Sequence, residues 1–226
     1  MFANSLQIES SQSGPHPRLA EIVARHLHEP YRRAPSDAGR RAFDSVLEGL
    51  QAAAFVLDAG CGTAASTLAL AREFPDRLVL GVDKSAARLG IGQRALERLK
   101  NAGAAPSNVR LLRCDLVDFW QLAAASKLCC TQQLLLYPNP WPKPEHVMRR
   151  WHAHPVLPAI LGLGGAIELR TNWCIYAVEF MQAMQDIGRN ARLDALVPSQ
   201  PLTPFEHKYV ASGHALWRCV VQSPGR

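Results

Sequence analysis

Three aspartates stand at the ends of three apolar runs: Asp58 in VLDAGCGTAAS, Asp83 in RLVLGVD and Asp115 in NVRLLRCD. Just beyond the first, Gly60 and Gly62 allow the tight turn and close backbone approach that a nucleotide needs, and Ala65 stands where a third small residue is expected. A carboxylate at 58 is at odds with a pyrophosphate in that turn, because unit charges 4 Å apart near a protein surface repel by about 4 kcal/mol. A positively charged nucleoside without phosphate suits it. S-adenosylmethionine carries an ammonium and a sulfonium and meets that description. Asp83 is then placed for the ribose hydroxyls and Asp115 for the adenine amine. Any one of the three has a simpler task open to it, capping the helix that follows. All three at consecutive strand tips favour the cofactor.

A second constellation, YPNPWPKPEH, follows the apolar run TQQLLL. Pro138 and Pro140 fix the backbone on either side of Asn139, so its side chain is aimed with little entropy left to lose. Trp141 offers a flat face for stacking a base, a contact of about 1–3 kcal/mol. Lys143 offers a cation for a phosphate or a base carbonyl. Arg149 and Arg150 come next, expected on a helix leading away, where RNA phosphates or plain solvation account for them equally well. His146, His207 and His214 read as partly exposed polar residues.

These residues need a scaffold that brings strand ends to one edge. AFVLDAG, RLVLGVD, NVRLLRCD, TQQLLLY, GGAIELRT and ALWRCVVQ read as strands. TAASTLALAREF, SAARLGIGQRALERLKNAG, DFWQLAAAS and CIYAVEFMQAMQDIG read as helices between them. Short apolar strands alternating with helices imply βαβ units on a mostly parallel sheet covered on both faces, with ligands outside the carboxyl ends of the strands. Ahead of this, HPRLAEIVARHLHEP reads as a helix stopped by Pro30, and SDAGRRAFDSVLEGLQ as a second with Ser36 as N-cap. Residues 1 to about 14 are expected to be loosely attached. The division expected is an N-terminal helical extension over 1–50, partly disordered, and one domain over 51–226.

Composition narrows the class. With 48% hydrophobic and 19% charged residues, the chain can bury a core and is not of the disordered type. No apolar run reaches the roughly 18 residues that span a bilayer, and the first twenty residues lack an export signal, so a cytoplasmic protein is expected. The six cysteines show no CxxC pair or zinc-like spacing with histidine, which points to reduced thiols and no structural metal. A formal charge of +6 suits an anionic partner such as RNA.

With these motifs in place, the chain resembles the class I S-adenosylmethionine-dependent methyltransferases, and more narrowly the bacterial tRNA (guanine-N7)-methyltransferases. LDAGCGTAAS, GVDKS and CDLVDF are similar to that family's cofactor segments. YPNPWPKPEH, LRTNW with YAVEFM, and PLTPFEHKYVASGHALWRCVV are similar to its substrate segments. The resemblance implies a Rossmann-like α/β fold with a mostly parallel seven-stranded sheet and helices on both faces. It also implies methyl transfer to N7 of a guanine in tRNA, with no DNA or membrane partner and a monomeric or homodimeric state. By this resemblance Asp58, Gly60, Gly62, Asp83 and Asp115 hold the cofactor, Asn139 takes the catalytic position, and Trp141, Lys143, Asn172, Thr203 and Glu206 bind substrate.

Three departures stand out. Asn139 and Asn172 occupy positions where the family usually has aspartate, and Pro204 stands where it generally has lysine. Guanine N7 already has a free lone pair, so transfer needs alignment and tolerance of the positive charge that appears on the ring. An amide does this less well than a carboxylate by about 1–2 kcal/mol, roughly tenfold in rate. Two other readings remain at this point: a diverged enzyme methylating an amine of another RNA or a small molecule, and a non-catalytic RNA-binding subunit.

Overall fold

The computed structural model describes residues 5–6, 10–29, 31–126, 128 and 130–223. Seven strands form one sheet among these residues, in the order β3-β2-β1-β4-β5-β7-β6. They are β1 (Phe55–Ala59), β2 (Leu78–Asp83), β3 (Val109–Arg113), β4 (Cys130–Leu136), β5 (Ala166–Thr171), β6 (Ala191–Ala195) and β7 (Trp217–Val221). β1 pairs in parallel with β2 and β4, and β2 with β3, whereas β7 runs antiparallel to β5 and β6. This is the mostly parallel α/β arrangement expected. β1 is buried at every position, as an inner strand of a covered parallel sheet must be.

Six of the strands are visible as apolar runs in the sequence. β6, ARLDA, is the exception, and its residues are mostly half-exposed or exposed. It is an edge strand, with β7 as its one neighbour among the described residues, so no apolar alternation announces it.

The chain divides into two compact units, with the boundary inside β4. The first comprises Ala34–Leu134 and Leu163–Gly165. Here α3 (Ala65–Glu73) and α4 (Ala86–Asn101) pack on β2, and α2 (Asp37–Ala52) packs on β3 and on α5 (Leu116–Ala125). Ser36 caps α2 as its position predicts, its hydroxyl accepting the Gly39 N–H at 3.0 Å. The same hydroxyl donates to buried Asp118 at 2.7 Å, which fastens the start of α2 to α5.

The second unit comprises Met1–Arg33, Leu135–Gly162 and Ala166–Arg226. In it α7 (Cys174–Asp186) packs on β5, β6 and β7, and α1 (Leu19–His28) packs on α7 and on α6 (Leu157–Gly162). α1 ends at His28, ahead of Pro30, which lies outside the described residues. A short helix α8 (Pro204–Ala211) precedes β7.

Two expectations need correction. Arg149 and Arg150 do not ride on an α-helix leading away: Pro144–Arg149 and Trp151–Ala153 are two short 3-10 turns, and Arg150 is the fully buried junction between them. The looseness expected of residues 1–14 does not extend to Gln12, whose amide bonds to both Glu179 and Arg150. Residues 1–4 and 7–9 lie outside the described residues.

Candidate functional site

The glycine turn is built as its residue types require. Gly60 (φ +80°) and Gly62 (φ +57°) adopt the left-handed conformation that costs glycine nothing, and the N–H groups of Gly60 and Cys61 both bond to the Val82 carbonyl. The third small residue is not Ala65, which is exposed at the start of α3. Ala64 takes that part instead: it is fully buried with φ +61°, and Gly92 on α4 comes so close that a Cβ there would meet the Ala64 Cβ at 2.7 Å. The pairing of Gly92 with the turn was not foreseeable, because a glycine 28 positions after Ala64 inside a helical pattern carries no local signal.

Asp58 is buried, and its Oδ2 accepts hydrogen bonds from Ser66 Oγ and Thr67 Oγ1, each at 2.7 Å. Among the described residues Oδ1 takes none. Burial raises the Asp58 pKa, the two hydroxyls work against the rise, and the Asp83 charge adds to it. A carboxylate in this setting gains from a cation that reaches Oδ1. Ser66 and Thr67 escaped the sequence reading because serine and threonine in the first turn of a helix are ordinary.

Asp83 Oδ2 accepts the Gly62 N–H at 3.0 Å, its Oδ1 accepts the Ser85 N–H at 2.7 Å, and Arg88 Nη2 stands 3.3 Å from Oδ1. It ties β2 to the glycine turn. Asp115 caps α5, its Oδ1 accepting the Val117 N–H at 2.9 Å. It also lines a cavity of about 430 Å³ together with Lys84, Arg113, Cys114, Gly39 and Arg41. The last two belong to α2, so part of the first fifty residues walls this cavity. Beside its carboxylates, burial pushes the Cys114 thiol up to about 11 and leaves it a neutral, apolar lining group.

The residues expected at the acceptor belong to the second unit. Tyr137 (φ +53°) and Trp141 (φ +46°) are both left-handed without being glycine, so the backbone is strained on either side of Asn139. Asn139 is exposed, and its Oδ1 accepts the Trp141 N–H at 3.3 Å. The Arg149 guanidinium lies 4.6 Å above the Trp141 ring, His146 meets its edge at 5.8 Å, and Lys143 is exposed. The Trp141 carbonyl accepts two hydrogen bonds from Arg150.

Asn172 Nδ2 is 3.2 Å from His214 Nδ1, and His214 Nε2 is 2.8 Å from the Ser5 carbonyl. Thr203 caps α8 by accepting the Glu206 N–H at 2.9 Å. Glu206 is fully buried and occupied: its carboxylate accepts Tyr137 Oη at 2.9 Å, Arg170 Nη1 at 3.1 Å and the Leu202 N–H. Burial and then the Glu206 charge raise the Tyr137 pKa, so this phenol stays a donor. Stacked on Tyr209 are His214 at 5.1 Å and half-exposed Phe205 at 6.3 Å. Tyr137 sits 5.5 Å from the same Tyr209 ring. Asn139, Trp141 and Lys143 therefore share one loop. Asn172, Thr203 and Glu206 gather around the Tyr137–Tyr209–His214 rings.

Residues 52–219 match the model of a family described as "Putative methyltransferase". The chain is 32% identical over 173 residues to a tRNA (guanine-N(7)-)-methyltransferase of Leifsonia xyli subsp. xyli (strain CTCB07), covering 71% of this chain and 72% of the relative. It is 30% identical over 191 residues to a protein of the same name from Ectopseudomonas mendocina (strain ymp), covering 79% and 76%. Among solved structures, an antibiotic-related methyltransferase aligns with TM-score 0.57 at 15% identity over 81% of this chain and 94% of that one. The 16S rRNA methyltransferase KamB aligns with TM-score 0.56 at 17% identity over 85% and 96%. At such identities the structural likeness speaks for the fold alone.

Proposed function

This chain belongs to that methyltransferase family, and we propose that it moves the methyl group of S-adenosylmethionine to N7 of a guanine in tRNA. The observation that carries the cofactor assignment is the Asp58 carboxylate: buried, held through one oxygen by Ser66 and Thr67, with the other oxygen unbonded among the described residues. That donor set fits a cation and repels a phosphate. Bound there, the cofactor supplies an electrophilic methyl carbon. Asp58 takes the ammonium end, the Gly60–Gly62 turn lies against it, Asp83 receives ribose hydroxyls, and Asp115 faces the adenine amine from the wall of the α2-lined cavity.

The acceptor assignment rests on the relatives' names and on the chemistry of the Asn139 loop. N7 has its own lone pair, so no side chain has to remove a proton, and the absence of a carboxylate at 139 slows the reaction without stopping it. Trp141 stacks the base on the face not covered by Arg149, and Lys143 meets the phosphate or the base carbonyl. Asn172, with its NH₂ turned to His214, presents its oxygen to the base edge. Thr203 and Glu206 complete the wall, Glu206 acting through Tyr137 and Arg170. The bond from the Trp141 N–H to Asn139 Oδ1 weighs against the amine reading, which would need that oxygen for the substrate NH₂.

No helix among the described residues is long and apolar enough to cross a membrane. A cytoplasmic enzyme acting on tRNA fits that observation. Incubating the pure protein with bulk tRNA and labelled S-adenosylmethionine, then resolving the nucleosides by mass spectrometry, tests the proposal. Label in 7-methylguanosine is the expected result. Label confined to an exocyclic amine, or absent altogether while the cofactor binds, overturns it.

A further inference from the structure

Arg150 is a cation with no access to solvent, and every neighbour it has on hydrogen-bonding terms is accounted for. Nη1 pairs with Glu179 Oε2. Nη2 donates to Gln12 Oε1 at 2.6 Å and to the Trp141 carbonyl at 2.9 Å, and Nε donates to the same carbonyl at 3.3 Å. The circle closes on the far side of Glu179: its Oε1 accepts Gln12 Nε2 at 3.1 Å and the His16 N–H at 2.9 Å, and its Oε2 also faces His152 Nε2 at 3.1 Å. A planar guanidinium can serve these directions at once, and a lysine ammonium cannot. A buried ion pair of this kind persists only while its remaining donors and acceptors are filled.

What the cluster holds is the backbone of Trp141, in a left-handed conformation that a non-glycine residue keeps only when its surroundings impose it. The Trp141 N–H in turn fixes Asn139 Oδ1. A chain of contacts therefore runs from Gln12 to Arg150 to Trp141 to Asn139, all within the second unit.

We propose that Arg150 and Gln12 are positioning residues for the Asn139–Trp141 loop, so that the segment carrying Gln12 and His16 sets the geometry of the acceptor site. The consequence for methyl transfer rests on the reading above, in which this loop presents the base. The cluster's own effect on the loop does not.

Two variants test it. Gln12→Ala removes one neutral, half-buried side chain near the chain's start, so the fold survives it. Exchange of the Trp141 amide, whose N–H is bonded to Asn139 Oδ1, is expected to quicken about tenfold, the effect of losing one hydrogen bond to a charged group. The unfolding temperature should stay within about 4 °C of wild type, and the heat of S-adenosylmethionine binding should not change. In the same variant kcat for tRNA methylation falls by about the same factor while KM for the cofactor holds. Arg150→Lys keeps the charge and gives the same pattern more strongly, and where it folds poorly Gln12→Ala decides alone. Exchange in the loop that stays at the wild-type rate in Gln12→Ala overturns the proposal. Exchange that quickens while tRNA methylation is untouched upholds the positioning role and instead overturns the reading that this loop presents the acceptor.

Discussion

The amide nitrogen of Asn172 lies 3.2 Å from Nδ1 of His214, and that imidazole reaches the Ser5 carbonyl through Nε2 at 2.8 Å. Nε2–H donates to a carbonyl, so Nδ1 is left to accept, and it accepts the Asn172 NH₂. The asparagine is thereby oriented with its single acceptor, Oδ1, available to a substrate donor. Asn172→Ala should lower kcat/KM for tRNA by roughly threefold to tenfold, the worth of one neutral hydrogen bond, without changing cofactor affinity. Steady-state assays at varied tRNA concentration measure this, and an unchanged kcat/KM removes Asn172 from the substrate site.

Asn139→Asp should maintain methyl transfer or raise it by up to about tenfold. A carboxylate still accepts the Trp141 N–H, so the loop keeps its shape, and it stabilises the charge arriving on the guanine ring better than an amide. The assay is initial rate with labelled methyl donor. A strong loss in this variant contradicts a guanine N7 acceptor.

Because burial raises the Asp58 pKa, a cation at that carboxylate must draw the group back to its ionised form. Cofactor binding should therefore release protons and tighten as pH rises through the raised value. Calorimetry in buffers of different ionisation heat reads the release directly. Asp58→Asn should abolish both the proton release and most of the binding heat. Binding heat that ignores the substitution places the ammonium elsewhere.

Acid should destabilise the protein in two stages. Burial lowers the pKa values of His152 and His26, so both are kept neutral in the fold. A group depressed in the folded state contributes stability above its unfolded value, here about 6.5, and loses it as pH falls toward the folded value. For Glu179 burial opposes ionisation, but hydrogen bonds from His152 and Arg150 and the adjacent positive charge bring the carboxyl down to about 2. Its contribution is lost between about pH 4.5 and 2 by the same sign. Unfolding temperatures should fall from pH 7 to 5, about 2–4 °C for each 1 kcal/mol lost, and fall again below pH 4.5. His152 packs edge-on against Tyr176 at 5.0 Å and Phe180 at 5.9 Å, so His152→Phe suits the ring contacts while removing one partner of Glu179. That variant should lose part of the first stage, and an unaltered pH 7-to-5 slope refutes the assignment to His152.

Exposed Arg149, stacked on Trp141, puts a cation beside the ring to which the proposed function assigns the base. Arg149→Ala should weaken tRNA binding at low salt and reduce the slope of log affinity against log salt by about one contact. Trp141→Ala should weaken binding by about 1–3 kcal/mol with little change of slope. Filter binding over a salt series separates the two effects, and affinity that hardly responds to salt at all argues against an RNA substrate.

Much of this protein is determined by short stretches of its sequence. The apolar runs that became β1 to β5 and β7, the left-handed glycines at 60 and 62, and the Ser36 cap depend on neighbours a few residues away, so period, turn chemistry and capping reveal them. The candidate site residues were legible as types near strand ends for the same reason. Tertiary structure alone decided what those types do. Arg150 looked like a surface cation because its partners, Glu179 and Gln12, lie 29 and 138 residues away, and only burial separates a solvated charge from a paired one. Glu206 had the composition of a substrate ligand, but Tyr137 and Arg170, 69 and 36 residues distant, already occupy its oxygens. β6 emerged only from pairing with β7, and Ala64 displaced Ala65 only because α4 brings Gly92 against it. Local physics sets conformation residue by residue, whereas the partner of a charge, an edge or a close contact is chosen by how distant segments meet.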